Sequence, residues 1–186
     1  MKRETARLLL RTMTPDDAPF YLSLVSDRTW ISYMGDKGIR TQAAARTAII
    51  RGPCAMQHRL GFSLYLVERK SDQVALGICG LIKRDALPDV DIGYGMLAPF
   101  RGHGYAHEAA SAVMLHAEHT LGLPRLLGIT GTDNLASNNL LQKLGFCFEK
   151  RMLLLPDNKD CNLYRRDFTL HQPDDTTAGD HAPSWR

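Results

Sequence analysis

The chain has 186 residues, 44% of them apolar and 23% charged, with a formal net charge of +3. These are the values of one globular domain able to bury a core, and they exclude a disordered or collagen-like chain. So small a positive charge does not argue for a nucleic-acid partner, and no apolar stretch reaches the ~20 residues that a membrane span needs.

Leu8-Leu9-Leu10-Arg11 reads as a first strand. Thr14-Pro15-Asp16-Asp17 opens a helix, with Thr as cap, Pro at the first helical position and acids in the first turn. Residues 27–40 read as loop, with a turn at Gly35-Asp36-Lys37-Gly38. Thr41 caps a second helix to about Arg51, which Gly52-Pro53 should break or kink before a continuation towards His58. Residues 62–68, 74–82 and 90–97 form three strands of an antiparallel meander. The main helix runs from about Gly104 to Leu121, with Ala106, Ala110, Val113, Ala117 and Leu121 on its apolar face. Arg125 to Thr130 is a buried strand, parallel to the one before the helix. A further helix spans roughly Asn134 to Leu144, and Phe146–Phe148 and Leu163–Phe168 supply the last two strands. One domain over 1–170 is expected, with a flexible polar tail over 171–186.

Cys54, Cys79, Cys147 and Cys161 are scattered, without a C-x-x-C pair or zinc spacing. With no apolar segment behind Met1-Lys2-Arg3-Glu4-Thr5, a cytoplasmic protein with reduced thiols is expected. His103 and His107 stand four apart, and His116 and His119 three apart, but no third ligand accompanies either pair, so no metal is expected.

The most informative stretch is Asp91-Ile92-Gly93-Tyr94 followed by Pro99-Phe100-Arg101-Gly102-His103-Gly104-Tyr105-Ala106. A strand stops, a glycine-punctuated turn follows, and a helix begins at once. Such a junction aims unpaired N–H groups and the positive end of a helix dipole at one small volume, which suits phosphate oxygens. It is not a dinucleotide fingerprint, since His107 stands where a third glycine belongs. It is not a P-loop either, since Gly104-Tyr105-Ala106 lacks the lysine and hydroxyl.

The segment resembles the Arg/Gln-x-x-Gly-x-Gly/Ala motif of the GNAT N-acetyltransferases, with Arg101, Gly104 and Ala106 in the three defined positions. Asn134-Leu135-Ala136-Ser137 and Leu144-Gly145-Phe146 resemble the family's downstream block, and with Gly93-Tyr94 the wording is similar to the RimJ/RimL-like branch. The resemblance covers residues 88–149, roughly a third of the chain. It implies an α/β (α+β) fold: a mixed, mostly antiparallel sheet of roughly six to seven strands, a splayed central parallel pair, and about four flanking helices. It also implies a bulge in the strand before the loop. The function implied is transfer of acetyl from acetyl-CoA to a primary amine, by direct attack in a ternary complex. The acceptor implied is a protein or peptide N-terminus, in a monomer or homodimer without nucleic acid or membrane. The alternatives are a small-molecule amine acetyltransferase and a catalytically silent acyl-CoA-binding module.

By the same resemblance, Met96, Leu97 and Ala98 would offer backbone groups to pantetheine. Arg101, Gly102, His103, Gly104, Tyr105 and Ala106 would hold the pyrophosphate, Arg101 through its fork or its main chain alone. Asn134 would bind pantetheine or cap its helix. Asp91 would act as base or water relay, or is simply a strand-end carboxylate. The tyrosine that many relatives place five residues before the Gly-Phe phenylalanine is here Leu141. Ser137 would take its place as acid, or serves as a helix-capping residue, with Tyr94 and Tyr105 in reserve. Base demand is modest for an α-amine, whose pKa of about 7.7–8.0 leaves much of it neutral, against about 10.4 for lysine.

Overall fold

Strand alternation decides which side chains enter the core. The computed structural model describes residues 2–154 and 159–168 of the chain; the polar tail expected from residue 171 lies outside them. β1 (Lys2–Glu4) pairs antiparallel with β2 (Leu8–Thr12), where Leu8 and Leu10 are fully buried and Leu9 faces the other way. β3 (Leu64–Arg69), β4 (Ala75–Ile82) and β5 (Asp91–Met96) form the expected meander. β6 (Arg125–Gly131) lies parallel to β5, and β7 (Cys147–Leu154) and β8 (Lys159–Asp167) complete an eight-stranded sheet of order β1-β2-β3-β4-β5-β6-β8-β7. The strand beyond the expected six to seven is β1, whose three polar residues carry no apolar alternation.

One reading of the N-terminal helices needs correction. α1 (Ala18–Val25) forms as expected, with the Asp17 carboxylate accepting the Thr14 N–H at 2.7 Å. Residues 27–40 are not all loop. Asp27 accepts the Trp30 N–H at 2.9 Å and so caps a short helix, α2 (Arg28–Met34), which ends at Gly35 with φ 79°. At Gly52-Pro53, where a break or kink before a continuation towards His58 is expected, the helix changes its winding and continues. α3 (Gln42–Ile49) passes through a π-helical turn, Ile50–Cys54, into α4 (Ala55–Leu60). The wider turn accommodates Pro53, which has no N–H to donate.

α5 (Tyr105–His119) and α6 (Leu135–Lys143) cover one face of the sheet. Ala109, Ala110, Val113 and Ala117 of α5 and Leu141 of α6 are buried in a cluster with Ile92 and Met96 of β5. Opposite, Leu24 of α1 and Ala45 and Ile49 of α3 pack on Leu66 and Ile78. No helix among the described residues is long and apolar enough to cross a membrane.

The parallel pair is short. β5 and β6 share only the register Asp91↔Leu127 and Ile92↔Gly128, beyond which they diverge. The expected bulge in β5 is absent: its ladder with β4 runs without a shift from Gly77↔Met96 to Ile82↔Asp91. Gly93 and Gly95 serve packing instead. A Cβ at Gly93 would lie 2.8 Å from Ile82 Cδ1, and one at Gly95 would overlap the Trp30 ring of α2.

Candidate active site

Where β5 ends, Ala98–Phe100 makes one 3₁₀ turn, and Gly102 and Gly104 take φ of 78° and 79°, a region open to glycine at little cost. The turn reverses the chain directly into α5. Arg101 N–H donates to Ala98 O and Glu108 N–H to Gly104 O. Among the described residues, the N–H groups of Gly102 through His107 have no backbone acceptor. They form a run of free donors at a helix N-terminus, an electropositive cradle for an anion. Side chains frame this cradle without filling it. Tyr105 is buried beneath it, and the His103 ring stacks on Tyr105 at 5.9 Å with its Nδ1 on Arg101 O at 2.8 Å.

Arg7 is a cation that no local motif singles out. Its Nη1 donates to His103 O, its Nε to Glu108 at 2.7 Å, and its guanidinium lies 4.6 Å from the centre of the Tyr105 ring. Its Nη2 would be 3.4 Å from a Cβ on Gly104, so it borders the cradle. Burial works against ionising Glu108, but hydrogen bonds from Thr5 and Arg7 outweigh it and hold the carboxyl below its usual range. Glu108 thereby pins the β1–β2 turn to the first turn of α5.

Beyond Ile92 the split between β5 and β6 opens. Leu97 N–H donates to Leu76 O, so alternation turns the backbone groups of Tyr94 and Met96 towards the split. Met96 O is taken by Arg101 Nε at 2.9 Å, and Leu97 O by Phe100 N–H. Of residues 96–98, therefore, Met96 N–H faces the gap, while the Leu97 backbone and the Ala98 carbonyl are engaged elsewhere.

Tyr94 and Ser137 come together. Their hydroxyl oxygens lie 2.9 Å apart, and Tyr94 Oη also reaches Ser137 O at 3.3 Å. Burial pushes the Tyr94 hydroxyl well above its ordinary value, so it keeps its proton at any physiological pH. Asn134 caps α6, its Oδ1 accepting Ser137 N–H at 3.1 Å. Asn138, which sequence reasoning passed over, is buried at the centre of this corner. Its Nδ2 donates to Gly131 O and Asn134 O, and its Oδ1 accepts from Tyr164 Oη at 2.8 Å and Asn162 Nδ2 at 2.9 Å. It locks the start of α6, and with it Ser137, onto β6 and β8. Leu141, at the position of the family tyrosine, is 1% exposed and packs against Gly128.

Asp91 is not part of that pair. Three residues from Tyr94, it projects from the opposite face of β5, at the closed base of the split. It is 1% exposed, and both carboxylate oxygens lie 3.1 Å from Arg84 Nε. Burial raises its pKa to about 6 despite the Arg84 charge. Glu68 is engaged with Arg11 at 2.9 Å. Among the described residues no group of three His, Cys, Asp or Glu side chains is placed to hold a metal.

Residues 7–147 match the acetyltransferase (GNAT) domain family. The chain belongs to the GNAT acetyltransferases. A GNAT relative, the uncharacterized N-acetyltransferase YoaA of Bacillus subtilis, is 31% identical over 147 residues, 77% of this chain and 81% of its own. Among solved structures, a RimL ribosomal L7/L12 alpha-N-protein acetyltransferase in complex with coenzyme A superposes with a TM-score of 0.76. It is 22% identical, over 88% of this chain and 95% of that one. The Salmonella typhimurium acetyltransferase that modifies the N-terminal serine of 50S subunit protein L7/L12 gives a TM-score of 0.75. It is 20% identical, over 89% and 97% of the two chains. Both share the GNAT fold with this chain.

Proposed function

We propose that the protein transfers the acetyl group of acetyl-CoA to the α-amine of a protein or peptide, by direct attack in a ternary complex. The observation that carries this reading is the run of free N–H groups from Gly102 to His107 at the open end of a split sheet. A diphosphate at the cradle and an extended amide-bearing arm in the split would satisfy both. Arg7 adds a positive charge at the cradle's edge, and Met96 N–H and the Tyr94 backbone supply the ladder groups that β6 leaves unmet.

Acetyl-CoA supplies an activated acyl group as a thioester. The chain's own residues manage the protons. Ser137 Oγ gives a proton to the departing sulfur, and Tyr94, which burial keeps protonated, donates a hydrogen bond that steadies the serine oxygen until water returns its proton. On the opposite face, Asp91 takes the proton that the amine loses, through water, because its own oxygens are held by Arg84. Donor and acceptor of protons thus lie on opposite faces of β5, so the amine's proton and the thiol's proton are handled by separate groups. The likeness to RimL enzymes supports an N-terminal acceptor, since an α-amine needs only a weak base.

Titration calorimetry with acetyl-CoA, followed by thiol release with serine-, alanine- and methionine-initiated peptides, tests the reading. Binding with turnover of at least one peptide supports it. Absence of binding to the folded protein retires it. Binding without release of thiol to any amine makes the chain a silent carrier of acyl-CoA.

A further inference from the structure

The arginine that opens the anion loop points its charge away from the loop. Arg101 Nε donates to Met96 O at 2.9 Å, Nη1 to Thr29 Oγ1 at 3.0 Å, and Nη2 to Asp27 Oδ1 at 2.6 Å. Asp27 Oδ1 is also the atom that caps α2. Burial opposes the charge on Asp27, and hydrogen bonds from Arg101 and the α2 backbone outweigh it, holding the carboxyl below its usual range. All three guanidinium nitrogens are therefore engaged in fixing one end of α2 to the edge of β5.

α2 continues across the split. Trp30 lies against Gly95 on β5, and Tyr33 lies near Gly131 on β6, 3.7 Å from where its Cβ would be. At its far end, the carbonyls of Ser32 and Tyr33 accept from Lys159 Nζ of β8, each at 2.9 Å. The helix bridges both arms of the opened sheet on the face opposite α5 and α6. If the carrier lies on the α5 side, an incoming amine must pass α2.

We propose that Arg101 is a positioning residue, not a phosphate ligand: its side chain couples the anion cradle to α2, the wall of the acceptor entrance. This rests on the acetyltransferase reading. An anion on the N–H groups after Arg101 fixes the Arg101 peptide, and the three-way guanidinium contact passes that order to α2. Arginine suits the task because its planar donors reach a carbonyl, a hydroxyl and a carboxylate at once, which a lysine cannot do.

The test compares wild type, Arg101→Ala and Arg101→Lys by calorimetry with CoA and by hydrogen exchange of the amides of residues 30–35, with and without CoA. In wild type, CoA should slow exchange in α2 by about tenfold. Both variants should bind CoA within about twofold of wild type and lose that slowing. A tenfold or greater loss of CoA affinity in Arg101→Ala, restored by Arg101→Lys, would mark a phosphate ligand and overturn the inference. So would slowing that persists in both variants. If wild type fails to bind CoA, the functional reading falls. The ligand-free exchange then decides the tie alone: faster exchange of residues 30–35 in both variants keeps it, and unchanged exchange removes it.

Discussion

The proposed mechanism assigns its chemistry to single atoms, and each can be tested separately. Ser137→Ala removes the hydroxyl that meets Tyr94 and leaves the Asn134 cap intact, since that cap uses the Ser137 N–H. Turnover should fall by roughly 10²-fold, in line with loss of one positioned proton donor, while calorimetry finds CoA affinity unchanged. In the proposed mechanism Asp91 sets the acid side of the rate profile. With its pKa near 6, kcat/KM should rise with pH through that value, and Asp91→Asn should abolish the rise. A limb that survives in the variant assigns the base elsewhere. None of the partners that tune these groups was legible in the sequence. Arg84 lies seven residues from Asp91 across a loop, Arg7 lies about a hundred residues before Glu108, and Asn138 was hidden among neighbouring asparagines. Contacts of this kind depend on tertiary structure and leave no local pattern.

At the scale of elements, patterned segments were legible and short or interrupted ones were not. The meander, α5 and the parallel return of β6 all follow from alternation, helical spacing and right-handed crossover. α2 was missed because seven residues with polar Arg28, Thr29 and Ser32 show no clear apolar face, and only Asp27 hinted at a start. Pro53 marked the interruption, and a π-helical turn is the form it takes. The resemblance implied a bulge in β5, whereas its glycines sit in a regular ladder and make room for Ile82 and Trp30. Gly95→Ala tests that explanation. The new methyl would overlap the Trp30 ring, lifting α2 or straining β5 at a cost of about 1–3 kcal/mol. Denaturant unfolding should register the loss, and a variant as stable as wild type would show that Trp30 gives way freely.

Across the whole molecule, the N-terminal strand is fastened to the main helix by a contact that acid should undo. Arg3 Nη2 donates to His116 Nδ1 at 2.6 Å and to Thr120 Oγ1 at 2.7 Å. Burial first, and the Arg3 charge second, push His116 from its ordinary 6.5 down to about 4. The folded state therefore resists protonating this ring while the unfolded chain accepts the proton. The resulting stability is fully present above about 6.5, declines below it, and is gone once pH falls through about 4. The stake is on the order of 2 kcal/mol. Melting curves between pH 7 and pH 4 should show the decline, and His116→Gln should flatten it. An unchanged slope in that variant would place the acid sensitivity in another group.

The seam between β5 and β6 has a thermodynamic consequence for the entire protein. With only two registered residue pairs joining them, the meander half and the β6–β8 half meet through a narrow bridge of main-chain bonds. A pantetheine arm lying in that fissure would complete the missing rungs and act as mortar between the halves. Carrier at a hundred times its dissociation constant would then add about 2.7 kcal/mol to the free energy of unfolding. The protein's tolerance of heat inside a cell should accordingly rise and fall with the supply of its own acyl donor.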